Sequence, residues 1–359
     1  MKYYTVYSNV VIYRGLLDMD IDCLQSMQSK INQKLKPVGS LGKLESLALQ
    51  LGELQSHRMA KCALRIEPCA PHCLIFCADH GVAQHGVSVA PQQVTRIMLE
   101  SFLCGDAASN CFCQEHHVPL TVVDAGCLNL EGVSSSVLIH QSQGPGTRDF
   151  SLAPAMTTAQ VSEGLHLGGQ CIESIIEEGA NLICLGEMGI GNTTSASALL
   201  AALTGWSVED CVGRGSGISD QQLLTKSSII RNAIARCVNL PFESIVAELG
   251  GFEIVQLTGA IIKASSCYVP VVIDGFIVSV AAYIATLIDP SCRAALISSH
   301  VSHEYAHQSL LNELNAEPLL DLSLRLGEGT GALLAVPLIR SAIAFFNDMA
   351  SFSDVGVEL

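Results

Sequence analysis

The chain is poor in aromatic side chains and in positive charge, and it lacks a C-x-x-C pair. Phe, Trp and Tyr make up 5% of its 359 residues. Ala, Leu, Ile, Val and Gly fill the apolar share instead, a mix that favours an α/β protein over a β-sandwich. Only 19 Lys and Arg stand against 34 Asp and Glu, so the formal net charge is -15. A chain this acidic is a poor binder of nucleic-acid backbones. It still leaves room for one small anionic ligand in a local pocket. There is no C-x-x-C among the fifteen cysteines, and many sit inside apolar strings, as Cys184 does in "NLICLGE". Free cysteine behaves there as a small hydrophobe. The odd count, and a start "MKYYTVYSNVVIYRG" without the features of an export signal, point to free thiols in a reducing cytoplasm.

Long apolar runs are missing too. The most apolar region, 252–288, is broken by Glu253, Lys263 and Asp274, and only 14 residues separate Asp274 from Asp289. A spanning helix needs about 20, so buried core helices and no membrane span are expected. With 49% hydrophobic residues the chain can bury a large core.

What is present is a repeated pattern. Short apolar runs end in a polar residue and a turn: "CLIFCADHG" (73–81), "LTVVDAG" (120–126), "NLICLGEMG" (181–189), "VPVVIDGF" (269–276) and "AALISSHVS" (294–302). Each is too short for a globular helix. Helical stretches lie between them, such as 92–116 and 195–205. The alternation predicts an α/β fold: a Rossmann-like parallel sheet with helices on both faces. In such sheets the ligand sits beyond the carboxyl ends of the strands. Those ends carry Asp79, His80, Asp124, Glu187, Asp274, Ser299, His300 and Ser302, read together as one shared site. The stretches 17–36, 308–318 and 333–350 fall outside the alternation. The expected organisation is an N-terminal extension (1–15), a small helical domain from 16–60 and 308–359, and a large α/β domain (61–307).

Several segments carry candidate chemistry. In "LGEMGIGNTTSASALLAALTG" (185–205) a strand ends at Glu187 and a glycine-rich turn opens a helix. Helix N-terminal N–H groups favour anions, so Gly189, Gly191, Asn192 and Thr193 form either a phosphate cradle or an ordinary capped turn. No G-K-[ST] follows, which excludes a Walker loop. "VGRGSGISDQQLLTKSSII" (212–230) offers Arg214, Gly215, Ser216 and Lys226 to an anion, or is a surface loop with a solvated lysine. "CADHGVAQHGVSVAPQQVT" (77–95) places Ser88 and Gln92 in a loop of mixed polarity suited to a flat heterocycle, or to a plain connection. "SSHVSHEYAH" (298–307) lacks H-E-x-x-H, so its histidines are expected to be hydrogen-bonded rather than metal ligands. No G-x-S-x-G is present for a hydrolase. In "LRLGEGTGAL" (324–333) Gly327 and Gly329 flank Glu328 and let another molecule approach the backbone closely.

Taken in order, "KPVGSLGKLE", "ADHGVAQHGVS", "GTRDF", "GEMGIGNTTSASA", "GRGSG", "LGGFEIVQLTGAI", "VIDGF" and "PLLDLSLRLGEGTGA" resemble the nicotinate-nucleotide–dimethylbenzimidazole phosphoribosyltransferases of the cobalamin lower-ligand pathway. The resemblance runs from about residue 20 to the C-terminus. It implies a parallel-sheet α/β domain with a helical domain from both termini, a homodimer, and no metal or cofactor. The implied substrates are nicotinate mononucleotide and 5,6-dimethylbenzimidazole. It places the general base on Glu328 and a second active-site carboxylate on Glu187. Lys226 and the glycine-rich loops fall where the family binds the nucleotide phosphate. Asp274, Gly275 and Ser302 fall in its nucleotide-binding loops, and Ser88 and Gln92 near its base pocket. The chain departs from the family at Val38, where a second proline is usual, without consequence; Asp149 and Ala306 stand where asparagine and glycine are common, which bears on the preferred base and not on the reaction class. The rival readings are the same transfer to another base, a diphosphate-dependent phosphoribosyltransferase, and a non-catalytic nucleotide-binding subunit. The second lacks its usual pair of acids at a strand end, because "VVDAG" and "VVIDG" carry one each.

Overall fold

The computed structural model describes residues 21–357 other than Ser216, so the N-terminal extension and Ser216 lie outside the described residues. In chain order the elements are α1 (Ile21–Asn32), α2 (Lys43–Met59), β1 (Pro71–Ala78), α3 (Val94–Cys104), α4 (Ala108–His116), β2 (Leu120–Gly126), β3 (Leu138–His140) and α5 (Thr158–Glu177). There follow β4 (Leu182–Met188), α6 (Asn192–Thr204), α7 (Val208–Cys211), α8 (Asp220–Arg236), α9 (Phe242–Leu249) and α10 (Phe252–Ser266). The chain closes with β5 (Val271–Ile273), α11 (Phe276–Ile288), β6 (Leu296–Ser298), α12 (His307–Glu313) and α13 (Thr330–Asp348).

Among the described residues the strands form one sheet in the order β3-β2-β1-β4-β5-β6, and every neighbouring pair is parallel. This is the doubly wound order, with its switch point between β1 and β4. All five expected strands are there; β3 adds a short edge. The predicted helical stretch 92–116 is two helices, because the chain turns at Gly105, which ends α3 in the left-handed region.

Both faces of the sheet are dry. Leu74, Phe76, Ala78, Ile183 and Leu185 face a core built with α5, α6 and α9 to α11. The alternate residues Cys73, Ile75, Cys77, Leu182 and Cys184 face a second core with α1, α2, α4 and α13. The period-two alternation of a strand thus buries both of its sides. Local signals set the helix starts. Thr157 and Gln160 make a capping box for α5, and Ser219 and Gln222 do so for α8.

α13 is the described helix long and apolar enough to cross a membrane by composition. Its Ala332, Leu333, Ala335, Val336, Ile339 and Phe346 are instead packed in the second core.

The cysteine expectation needs one correction. Cys23 and Cys62 form a disulfide that ties α1 to the segment after α2. Sequence spacing did not reveal it, because 39 positions separate the partners and only the packing of α1 on α2 brings them together. The other described cysteines are free, most of them buried.

Candidate active site

The segment after α12 positions the decisive loop. Leu319 and Leu320 donate N–H to Ser298 and Ser299 carbonyls, and Val301 N–H reaches Leu320 O at 2.9 Å. The chain therefore runs alongside the end of β6 and delivers residues 325–329 to the carboxyl edge of the sheet. There it makes three successive left-handed residues, Gly327 (φ 81), Glu328 (φ 60) and Gly329 (φ 76). Glycine takes this conformation freely, whereas a glutamate at φ 60 carries strain. The loop lies directly on β4: a Cβ on Gly186 would stand 2.4 Å from Gly329 N, and one on Gly327 would stand 2.5 Å from Glu187 Oε1.

Asp274, at the end of β5, fastens this loop. Its Oδ1 accepts N–H from Gly331 at 2.7 Å and Ala332 at 3.2 Å, and its Oδ2 accepts from Gly329 at 3.1 Å. An aspartate at a helix N-terminus satisfies donors that have no helical partner. Asp274 is buried and does not line the cleft. His300 Nδ1 lies 3.8 Å from it and also accepts or donates to Ser299 Oγ at 2.9 Å.

The cleft itself holds about 290 Å³. Glu187, Glu328, Gly327, His300 and Ser302 line one part, and Gly189, Gly191, Asn192, Thr193 and Gly215 another. Val87, Val94, Met98, Met188, Ile190 and Leu326 give it an apolar wall fit for a flat ring. Ser88 and Gly275 also line it. Besides Asp274, two of the expected residues stand behind the wall. Gln92 donates to His80 O at 3.2 Å. Lys226 is buried, with its Nζ 3.1 Å from Thr193 Oγ1 and 3.3 Å from Gly213 O. Asp124 is turned to its own loop, accepting N–H from Gly126 and Cys127. Asp79 is buried with Oδ2 on Leu128 N.

Burial sets the charges here. Glu328 is 5% exposed, and its Oε2 has no partner among the described residues. Burial and then the nearby Asp274 charge push its pKa up to about 7. Glu187 is raised well above the carboxylate range by burial, then by Asp274 and Glu253, against the opposing hydrogen bond from Asn192 Nδ2. Asp274 is raised by burial, while His300 and three backbone N–H groups favour its anion. Burial lowers Lys226 to about 8, with Glu304 opposing. His307 is lowered to about 3 by burial and by His300. It sits between Ser302 N and Ser279 Oγ at 2.8 and 2.9 Å, a hydrogen-bonded core histidine.

Sequence reasoning missed Glu304, Arg325 and Phe276, which also line the cleft. The acid in "SHEYAH" and the arginine three residues before Glu328 were the available signals.

Fold and site together define an α/β enzyme of the doubly wound type, with a buried carboxylate facing a ring-sized cleft at the switch point. Comparison with known proteins places it more closely. A family model described as phosphoribosyltransferase matches residues 17–357. The nicotinate-nucleotide–dimethylbenzimidazole phosphoribosyltransferase of Vibrio atlanticus is 48% identical over 339 residues, covering 94% of this chain and 99% of that protein. The protein of the same name from Vibrio vulnificus is 50% identical, covering 92% and 97%. The crystal structure of CobT from Thermus thermophilus superposes with a TM-score of 0.88 at 38% identity, over 94% of this chain and 99% of that one. The chain belongs to this phosphoribosyltransferase family.

Proposed function

We propose that the cleft transfers the 5-phosphoribosyl group of nicotinate mononucleotide to 5,6-dimethylbenzimidazole, giving α-ribazole 5′-phosphate and nicotinate. The observation that carries this reading is Glu328: a buried, unpartnered carboxyl with a pKa of about 7, held at the cleft by a strained turn. A general base works best when its pKa lies near the working pH.

The free ring nitrogen of the acceptor attacks C1′ of the ribose. The C1′–pyridinium bond breaks, its electron pair returns to the pyridine nitrogen, and nicotinate leaves without a general acid. The acceptor ring becomes cationic and its N–H acidic, and Glu328 takes that proton. Attack from the face opposite nicotinate turns a β-nucleotide into an α-linked product. The transition state gathers positive charge on the ribose, as in other glycosyl transfers.

Asp274, Glu187 and Glu328 meet around the catalytic loop, and Asp274 holds the negative charge best because three N–H groups serve it. Burial, and then the Asp274 charge, hold Glu187 toward its neutral form and bring Glu328 to about 7, where a working share of it is the carboxylate that takes the proton. The pyridinium of the donor reverses this: a cation beside Glu187 favours its anion, which then stabilises the oxocarbenium-like sugar. The phosphate goes to the turn before α6, where Gly189 to Thr193 present a helix N-terminus with Lys226 behind it. Asp274 acts through the loop backbone rather than on the nucleotide. The terminal segments 16–60 and 308–359 then act as a small helical domain that carries the catalytic loop. The enzyme works as a cytoplasmic homodimer, and sedimentation analysis checks the assembly.

The test is incubation of the protein with nicotinate mononucleotide and a panel of benzimidazoles, adenine and phenols, with product masses and the anomeric configuration read out. Dimethylbenzimidazole should yield the α-linked nucleotide with one nicotinate per product. Faster transfer to adenine or a phenol moves the reading to another acceptor. No product from any base refutes it.

A further inference from the structure

Beneath the turn that precedes α6 lies a His–Glu pair that the mechanism above does not use. His80 follows β1, and Glu253 sits in the first turn of α10. His80 Nε2 and Glu253 Oε1 are 2.7 Å apart, and both side chains are 0% exposed. Among the described residues, His80 Nδ1 and Glu253 Oε2 have no hydrogen-bond partner. A buried pair left half satisfied is costly compared with apolar packing, so stability does not explain it.

The imidazole is wedged among glycines of two segments. A Cβ on Gly189 would stand 3.4 Å from His80 Cδ2, and one on Gly191 would stand 3.2 Å from His80 Cβ. A Cβ on Gly251 would stand 2.4 Å from His80 Cε1 and 2.7 Å from Glu253 Oε2. The His80 backbone is itself tied down. Gly81 N–H reaches Thr147 O at 3.1 Å, Thr147 N–H reaches Asp79 O at 2.9 Å, and Gln92 Nε2 holds His80 O. The ring is thus a fixed floor under Gly189–Gly191, and Glu253 fixes the ring's orientation.

We infer that His80 and Glu253 are positioning residues for the donor's phosphate: Ile190 N–H is held by Thr95 Oγ1 at 3.0 Å, and the pair holds the Gly189–Gly191 turn so that the N–H groups of Gly191 and Thr193 at the start of α6 meet an anion. This rests on the proposed function, and specifically on phosphate binding at that turn. A substrate that lacks the phosphate gains nothing from such a floor. The pair should therefore matter for the mononucleotide and little for the corresponding nucleoside.

The experiment compares kcat/KM for nicotinate mononucleotide with that for nicotinate riboside, in the wild type and in Glu253→Ala and His80→Asn. The mononucleotide-to-riboside ratio should fall by at least about tenfold in both variants, while the riboside value stays within about threefold. The KM for the acceptor base should stay unchanged. Glu253→Gln, whose amide oxygen can still accept from Nε2, should restore most of the ratio. Equal losses for both donors would mark a merely structural role and overturn the inference, as would an unchanged ratio. If Glu253→Ala does not fold, His80→Asn decides by the same ratio. Wild-type protein that uses neither donor, or uses both equally well, refutes the parent reading itself.

Discussion

Replacing Glu328 by Gln should make the protein more stable and the enzyme worse. The carboxyl has an ordinary value of 4.5 and is pushed up to about 7 in the folded chain. Below pH 4.5 it is protonated in both folded and unfolded chains and contributes no difference. Between 4.5 and 7 the unfolded chain releases the proton more readily, so stability falls as pH rises. Above about 7 both states are ionised and the loss is complete. At about 1.4 kcal/mol per pKa unit, this loss amounts to about 3 kcal/mol. Glutamine cannot ionise, fits the same volume and carries the same φ strain, so it escapes the loss. Denaturant unfolding of both proteins from about pH 4 to about pH 9 checks this. The two curves should coincide near pH 4, separate through about pH 7 and run parallel above it, with the variant higher. A melting shift on the order of a few degrees should accompany the gap at about pH 8. If the wild type is as stable as the variant there, Glu328 is not held in the unfavourable state described, and its fitness as a base near neutrality is lost with it.

Three further expectations follow from packing and charge. Gly186→Ala should abolish soluble folded protein or cost several kcal/mol, because its Cβ would stand 2.4 Å from the backbone nitrogen of Gly329, where nothing flexible can yield; thermal unfolding of the purified variant measures it. Lys226→Met should raise the KM for nicotinate mononucleotide about tenfold or more and leave the acceptor KM alone, because it removes a buried cation behind the phosphate turn; steady-state kinetics with each substrate varied separates the two. Reduction of Cys23–Cys62, which are 39 residues apart, should lower stability by about 4 kcal/mol on chain-entropy grounds without changing kcat; unfolding and turnover with and without a thiol reductant check both halves.

How much of this could be read from the chain depends on the range of the interaction. Buried parallel strands show themselves as unbroken apolar runs, so β1, β2 and β4 were legible from a few residues each. β3 was not, because "LIH" is three residues long and earns its place only by pairing with Val122–Asp124. The glycine turn around Glu328 was legible because φ above zero leaves a mark in the sequence. What the turn rests on was not. Asp274 meets Gly329 across 55 positions and Gly331 across 57, and no local pattern announces that. The same holds for Lys226: its place in a basic, glycine-rich stretch was visible, and its burial under Thr193 was not. The Cys23–Cys62 bond, like the His80–Glu253 pair, depends on elements brought together only by the finished fold.

The claim that Glu328 collects the proton of the attacking ring is tested most directly by the turnover of Glu328→Gln with both substrates saturating. Loss of a general base predicts a kcat lower by about 10²–10⁴-fold with KM for nicotinate mononucleotide little changed. A kcat within about threefold of the wild type would contradict the assignment, because an effect that small leaves almost no part of the barrier to this carboxylate.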